Sequence, residues 1–384
     1  QSLYDGPLGH KWDHNYNAWL RVSNDATTII RSNGKLQEER YTRHAALDFW
    51  VPPDGQDGVL LSNGTSFTWR SSNGIQYIYR RNDMVASNAI HILDRIEDRF
   101  GNYHQLTYVD SRLIRIEINH PARFVLLDYD DCGHIVSLRD HTHTTNPRRL
   151  WRFQYDDFGD LVATISPATD RYPNELVTCY EYSSAQYGGA LQHNLTRIID
   201  AKGQIYLENE YGTDAHLLTF NRVVRQRQGN GETLFDYADI NESFEFSYSE
   251  SERPTHQTTI TERNGQIRRQ VFNRFGNVLF DEECAFINGD LRLLRTFYRY
   301  NRDGNLLATL SPEGTIQQFL YGRELFLRLN PDANEDTLFE HPNLTVQERQ
   351  HFGRLLTTLK RARKFGFQDL SLAQSVWGDI FPDI

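Results

Sequence analysis

The polar side chains whose spacing most resembles a ligand set are His141 and His143, with His134 and Asp140 nearby. Alternate residues of a strand share a face, so two imidazoles could be presented to one metal ion. The surrounding text, HTHTTNP, runs into Pro147 and reads as a solvated hairpin tip. Asp128, Asp130 and Asp131 put carboxylates close enough for acid–base work or for calcium. Asp130 stands where a turn needs an Asp, however, and Asp128 shares its strand face. Cys132, Cys179 and Cys284 are odd in number and form no CxxC pair, which fits neither a disulfide framework nor a zinc knuckle. Cys132 and Cys284 lie in strand-like text and are expected as small buried residues. Trp12, Trp19, Trp50, Trp69, Trp151 and Trp377 could stack on sugar rings. Sequons stand at Asn63, Asn194, Asn241 and Asn343. No GxSxG, HExxH, Walker or GxGxxG arrangement occurs. The expectation is a chain without catalytic residues, cofactor or bound metal.

Composition says what kind of element carries these residues. Of 384 residues only 39% are hydrophobic, yet 12% are aromatic, including 20 Tyr and 22 Phe. A chain poor in aliphatics and rich in rings suits sheets with two partly wet faces, because Tyr has an apolar body and a polar tip. The net charge of -10 argues against a nucleic-acid partner, which needs a basic face to neutralise phosphates. No run of about 18 apolar residues exists, so no helical membrane span is expected. The sequence begins at Gln1 without a signal-like stretch and reads as a piece of something longer.

Internal repetition is the dominant signal. Four segments share an aromatic, Asp or Asn, two free positions, Gly, a polar residue and an aliphatic: YDDCGHI from Tyr129, Asp130 and Gly133; YDDFGDL from Tyr155, Asp156 and Gly159; FNRFGNV from Phe272, Asn273 and Gly276; and YNRDGNL from Tyr300, Asn301 and Gly304. A second half-unit sets a Gly seven residues before an aromatic, as in Gly101 with Tyr108, Gly265 with Phe272 and Gly314 with Tyr321. Asp or Asn opens a turn through its side chain, and Gly supplies the positive φ that closes it. One unit is therefore turn, strand, turn, strand, with Tyr at a fixed strand position where the rings can stack as a cross-strand ladder. The SFEFSYSES stretch inside residues 213–260 still alternates like a worn strand.

Three regions differ in texture. Residues 1–90 carry hairpin signals at Asn33-Gly34, Asn63-Gly64 and Asn73-Gly74 and open on DGPLGHKW, which reads as a folded cap. Residues 91–325 hold the repeats. Residues 326–384 change period: Thr345 and Glu348 spell a capping box, Phe352, Leu355, Leu356 and Leu359 follow helical spacing, and Lys360, Arg361, Arg363 and Lys364 precede Gly366. The expected fold is all-β, antiparallel hairpins wound as a spiral sheet or partial shell, with a short C-terminal helical segment.

The YDxxG units over residues 91–325 resemble the Rhs or YD-repeat family, which includes shell-forming components of insecticidal toxin complexes and the teneurins. DGPLGHKW is similar to the segment that precedes the array in many Rhs proteins, where glycine is usual just before the Trp; here Lys11 stands there. The resemblance implies a spiral sheet forming a hollow shell, commonly around a toxic C-terminal domain, although such shells are usually much longer than this chain. It also implies secretion, cell-surface display or export, in contact-dependent killing, adhesion or carbohydrate binding. No stretch matches the self-cleaving aspartic protease region that ends some Rhs shells, and Ser311-Pro312-Glu313-Gly314 reads as a repeat turn. The leading expectation is a non-catalytic scaffold whose partner is an enclosed or adjacent polypeptide. An adhesion module that binds glycan or protein comes second, and a polysaccharide-cleaving enzyme third.

Overall fold

The computed structural model describes residues 5–35, 37–44, 49–52, 58–71, 73–82, 90–143, 145–146, 149–240, 253–287, 290–301, 304–333 and 355–362. They form antiparallel β-structure, with one α-helix, Gly322–Leu329 (α1), among the described residues. No helix there is long and apolar enough to cross a membrane. The chain divides by packing into two compact units, residues 1–208 and 209–384.

In the first unit Asp5–Gly6 (β1) and Gly9–His10 (β2) make a two-stranded ribbon. Ala18–Val22 (β3), Thr28–Asn33 (β4), Glu38–His44 (β5), Phe49–Val51 (β6), Val59–Ser62 (β7), Ser66–Arg70 (β8), Gln76–Arg81 (β9) and Ile90–Glu97 (β10) follow in spatial order. The last of these forks. Ile90–Ile92 pair with β3, whereas Arg95–Glu97 pair with Tyr103–Val109 (β11), and β9 runs along the opposite edge. Strands β3 to β10 thus close on themselves, and a meander departs from the closing strand. The fork falls at Asp94, where the register against β9 shifts between Leu93 and Arg95. Such a bulge bends a strand and re-aims its edge. Asp94 is held there by Arg80 at 3.1 Å and by Gln105, whose amide donates to the Asp94 carbonyl at 3.0 Å.

The meander continues through Arg112–Ile118 (β12), Phe124–Tyr129 (β13), Ile135–Asp140 (β14), Leu150–Tyr155 (β15), Leu161–Ser166 (β16), Leu176–Tyr182 (β17), Leu195–Ile199 (β18) and Ile205–Tyr211 (β19), each pairing with its predecessor. Period-two burial is clearest in β16, LVATIS, where Leu161, Ala163 and Ile165 are buried and their neighbours half-buried. One hydrophobic cluster joins Leu20, Ile29, Tyr41, Leu60, Tyr79 and Leu93 to Leu106, Leu113, Ile116, Leu127 and Ile135 of the meander. Each large apolar side chain so placed contributes about 1.5–3 kcal/mol.

An ion pair is buried in this cluster's surroundings. Arg31, 3% exposed, donates to both oxygens of Glu39 at 2.9 and 2.8 Å and to the Tyr79 hydroxyl at 3.0 Å. Trp69 stacks on its guanidinium at 3.8 Å and donates its indole N–H to Tyr41, whose hydroxyl in turn donates to Glu39 at 3.1 Å. Burying two charges is costly unless each is paired and fully hydrogen-bonded, which this arrangement supplies.

The second unit consists of Val223–Gln228 (β20), Gly231–Asp239 (β21), Pro254–Thr261 (β22), Ile267–Asn273 (β23), Val278–Ile287 (β24), Asp290–Tyr300 (β25), Leu306–Leu310 (β26), Thr315–Tyr321 (β27), α1 and Leu355–Ala362 (β28), with consecutive strands paired antiparallel from β20 to β28.

Two expectations are corrected here. Leu355, Leu356 and Leu359 do not form a helix: they belong to β28, which pairs along β27 from Tyr321 opposite Leu355 to Thr315 opposite Ala362. A short apolar run fits either period, and the β-branched Thr357 and Thr358, together with the backbone edge of β27, favour the strand. The short helix is α1 instead. Thr345, Glu348, Phe352, Arg363, Lys364 and Gly366 lie outside the described residues, as does SFEFSYSES. Cys132 is exposed rather than buried, because it occupies a turn position directly before Gly133; Cys284 is half-buried.

Candidate functional site

The repeat residues fold locally into one kind of turn. The Asp130 carbonyl accepts the Gly133 N–H at 3.2 Å, its carboxylate accepts the His134 N–H at 2.8 Å, and Gly133 has φ +95°. Asp156 does the same for Gly159 and Asp160, at 3.0 and 2.9 Å. Asn273 does so for Gly276 and Asn277, at 3.0 and 2.9 Å, and Asn301 for Gly304 and Asn305, at 3.0 and 2.8 Å. Ser311 and Gly314 close a related turn at 2.9 Å.

The aromatic that opens each unit sits at a bulge. Register shifts fall immediately before Tyr108, Tyr129, Tyr155, Tyr182, Phe272, Tyr300 and Tyr321. The expected ladder is one of Tyr rings stacked across strands; the ladder observed is one of hydrogen bonds from hydroxyl to main-chain carbonyl. Tyr129 lies opposite Ile135 in its own hairpin, and the Ile135 carbonyl accepts the Tyr155 hydroxyl at 2.8 Å. Tyr155 lies opposite Leu161, whose carbonyl accepts the Tyr182 hydroxyl at 2.9 Å. Upstream, Tyr108 lies opposite Leu113, whose carbonyl accepts Tyr129 at 2.9 Å. In the second unit Tyr300 lies opposite Leu306, which accepts Tyr321 at 3.1 Å, and Tyr237 donates to Val223 at 2.8 Å. Phe272 keeps the bulge but has no hydroxyl, and stacks instead on His256, with ring centroids 5.2 Å apart. Burial raises the phenol pKa of Tyr129 and Tyr300 to about 12 and moves Tyr108, Tyr155 and Tyr182 up as well, so these hydroxyls stay protonated donors.

DGPLGHKW crosses the turns of two repeats. The Ile135 N–H donates to Pro7 at 2.7 Å and the His10 N–H to Gly159 at 3.3 Å. Gly9, at φ +84°, lies so near that a Cβ would stand 2.4 Å from the Gly159 carbonyl oxygen. His10 stacks on His193 with centroids 3.7 Å apart. Lys11 has φ +62°, the left-handed conformation that explains why glycine is usual in that place. Its ammonium donates to the Asn194 side chain at 2.8 Å and the Gln192 carbonyl at 3.3 Å. Burial lowers its pKa, opposed by the charge of Asp160. Trp12 donates its indole N–H to the Tyr182 oxygen at 2.8 Å.

Beneath this segment lies a group the sequence did not announce. Asp160 is fully buried; one carboxylate oxygen accepts from His193 Nδ1 at 2.8 Å and the other from the Ser184 hydroxyl. Ser184 and Asp160 both meet the same ring nitrogen, so no proton relay runs across opposite nitrogens of the imidazole as it does in a hydrolase triad. The cluster anchors the 183–194 segment, since Ser184 Oγ also accepts the His193 N–H at 3.0 Å. Split between Asp160 in one turn and the 183–194 segment, it leaves no local motif to find.

Most of the residues weighed for chemistry are otherwise engaged; the exception is His143, whose main-chain N–H donates to the Asp140 carbonyl at 3.0 Å while its buried Nδ1 meets no hydrogen-bond partner among the described residues. The Asp140 carboxylate accepts from Arg149 at 2.7 Å and from Thr142, which holds its pKa down at about 2. His141 packs near Phe124, while His134 stacks on Tyr155 and faces Asp130 and Asp5 at 3.5 and 3.6 Å. Asp128 pairs with Arg139 and Ser137, and Asp131 is exposed. Among the described residues no His, Cys, Asp and Glu group has the makings of a metal site. Trp50 is buried against Phe67, Trp69 is held by Arg31, and Trp19 and Trp151 lie near Arg21 and Arg149; Trp377 is outside the described residues. The sequon at Asn63 is an exposed hairpin tip, whereas Asn194 is buried; Asn241 and Asn343 are outside the described residues.

No family model matches the chain, and no curated protein matches it. Solved structures do. The crystal structure of TcdB2-TccC3-Cdc42 is 10% identical, with a TM-score of 0.38, over 79% of this chain and 18% of that one. TcdB2-TccC3 without its hypervariable C-terminal region is 10% identical, with a TM-score of 0.34, over 80% of this chain and 19% of that one. The Photorhabdus luminescens Tc holotoxin pore is 13% identical, with a TM-score of 0.26, over 74% of this chain and 18% of that one. Each of these three matches is to a toxin-complex chain. This chain spans less than a fifth of their length.

Proposed function

We propose that this chain is a non-catalytic wall segment of a YD-repeat scaffold that encloses, carries or displays another polypeptide and works outside the cell that makes it. The observation that carries this reading is the tyrosine-to-carbonyl ladder, in which Tyr129, Tyr155 and Tyr182 each fasten one hairpin to the one before and are committed to holding the sheet together. Three of the carboxylates that might have done chemistry are satisfied by neighbouring cations or imidazole: Asp128 by Arg139, Asp140 by Arg149, Asp160 by His193. A wall of this kind offers its enclosed chain half-buried aromatics and paired charges, a surface that can touch an unfolded polypeptide without one strong sticking point.

Limited proteolysis of the natural gene product, read by mass, tests the proposal. A segment carried by the wall survives a protease dose that digests the same segment expressed alone. Equal digestion rates, or a gene that encodes no further segment, would overturn carriage. Turnover of acidic polysaccharides by this chain would overturn its non-catalytic character.

A further inference from the structure

We propose that the surface formed by the turn at 156–160, Tyr180, Tyr182 and the segment 183–194 is a peptide-binding site selective for Gly-His-Lys-Trp, filled in cis by residues 9–12 and able to take the same segment from a separate molecule. Each of the four positions has its own receptor. Gly9 is required twice over, by its φ of +84° and by the Gly159 carbonyl that leaves no room for a Cβ. His10 lies flat on His193, an imidazole whose own orientation is fixed from behind by Asp160. Lys11 is read by two oxygens, the Asn194 side chain and the Gln192 carbonyl. Trp12 is read through its N–H by the Tyr182 oxygen, and its ring meets the edge of Tyr180 at 5.5 Å.

The receptor side is built without help from its occupant. Asp160, Ser184 and His193 are tied to one another, the Tyr182 hydroxyl is directed by the Leu161 carbonyl, and the Asn194 N–H is held by Ser183 at 3.1 Å. A receptor held in shape beforehand spends little of its binding free energy on ordering itself. A tight turn follows the occupant: Asp13 accepts from the His14 N–H and from the Asn17 side chain, both at 2.8 Å, and Asn17 N–H reaches the His14 carbonyl at 2.9 Å. Recognition resides in the four consecutive residues themselves, and a second molecule's copy presents the same four groups.

The test uses a fluorescent peptide with the sequence of residues 4–13, titrated into the full chain and into the full chain carrying Gly9→Val, which cannot keep its own segment in place. The altered chain, with its β circular dichroism intact, is expected to bind the peptide at least tenfold tighter than the unaltered chain, and to bind Gly9→Ala or Trp12→Ala peptides at least tenfold more weakly. No binding, or equal binding of a scrambled peptide, overturns the proposal. If Gly9→Val fails to fold, the unaltered chain decides: saturating peptide must raise hydrogen exchange at the amides of Gly9, His10 and Lys11 at least tenfold by displacing them. Unchanged exchange at millimolar peptide overturns the proposal equally.

Discussion

Tyr155 donates its hydroxyl hydrogen to the main-chain oxygen of Ile135 at 2.8 Å, so the aromatic that opens one repeat is fastened to the aliphatic that closes the repeat before it. Tyr155→Phe keeps the ring and removes only this bond, leaving a half-buried carbonyl without its donor. The expected loss is about 1 kcal/mol. In urea unfolding the midpoint should fall while the slope stays the same, because the surface exposed on unfolding does not change.

Glycine at the repeat turns answers a backbone requirement. Gly276 has φ +82°, and a Cβ there would meet nothing within 4 Å, so Gly276→Ala isolates the conformational cost, about 1–2 kcal/mol. Gly188 is equally open but extended, with φ -107°. Gly188→Ala should be neutral or stabilising by about 0.5 kcal/mol, through the unfolded chain. Thermal unfolding of the two variants should therefore move in opposite directions or differ by the full turn cost.

Glu39→Ala strips Arg31 of its counter-charge inside the fold. The loss should be about 3–5 kcal/mol, whereas replacing both residues together, Arg31→Met with Glu39→Leu, should cost less than the single change. A double-mutant cycle by urea unfolding checks the sign and size of the coupling.

His14 titrates against the fold. Burial lowers its pKa from the ordinary 6.5 to about 4. Above pH 6.5 the imidazole is neutral in both states and costs nothing. As pH falls from 6.5 towards 4 the unfolded chain takes up a proton that the folded chain refuses, and stability drops by up to about 3 kcal/mol. Urea midpoints at pH 7.5 and pH 4.5 should diverge in the natural chain, and diverge less in His14→Gln.

The turns were legible because their chemistry is local: Asp130 and Gly133, or Asn273 and Gly276, need only each other to specify a conformation. That DGPLGHKW is a folded segment was readable for the same reason, through its glycines and its Trp. The bulge at Tyr129 or Tyr155 was not, since an extra residue in a strand shows only against its partner. Asp160 with His193 and Arg31 with Glu39 sit among ordinary-looking turn and strand residues; what sets them apart is burial, which a lone polar residue does not display. Leu355 to Leu359 were misread because the edge of β27 decided their conformation, and that edge lies more than thirty residues upstream.

The fork in β10 also separates two kinds of folding event. Most pairings of the meander join neighbours in sequence and can zip hairpin by hairpin. The seam that sets Ile90 opposite Arg21 must bring together residues roughly seventy positions apart, for which loop-closure entropy is larger. Since β10 serves both seam and meander, a chain that has formed its hairpins but not this seam has half of one strand edge unpaired. Ring closure is then the slow step, and the edge of Ile90–Ile92 is the surface at risk of pairing with the wrong chain while it waits.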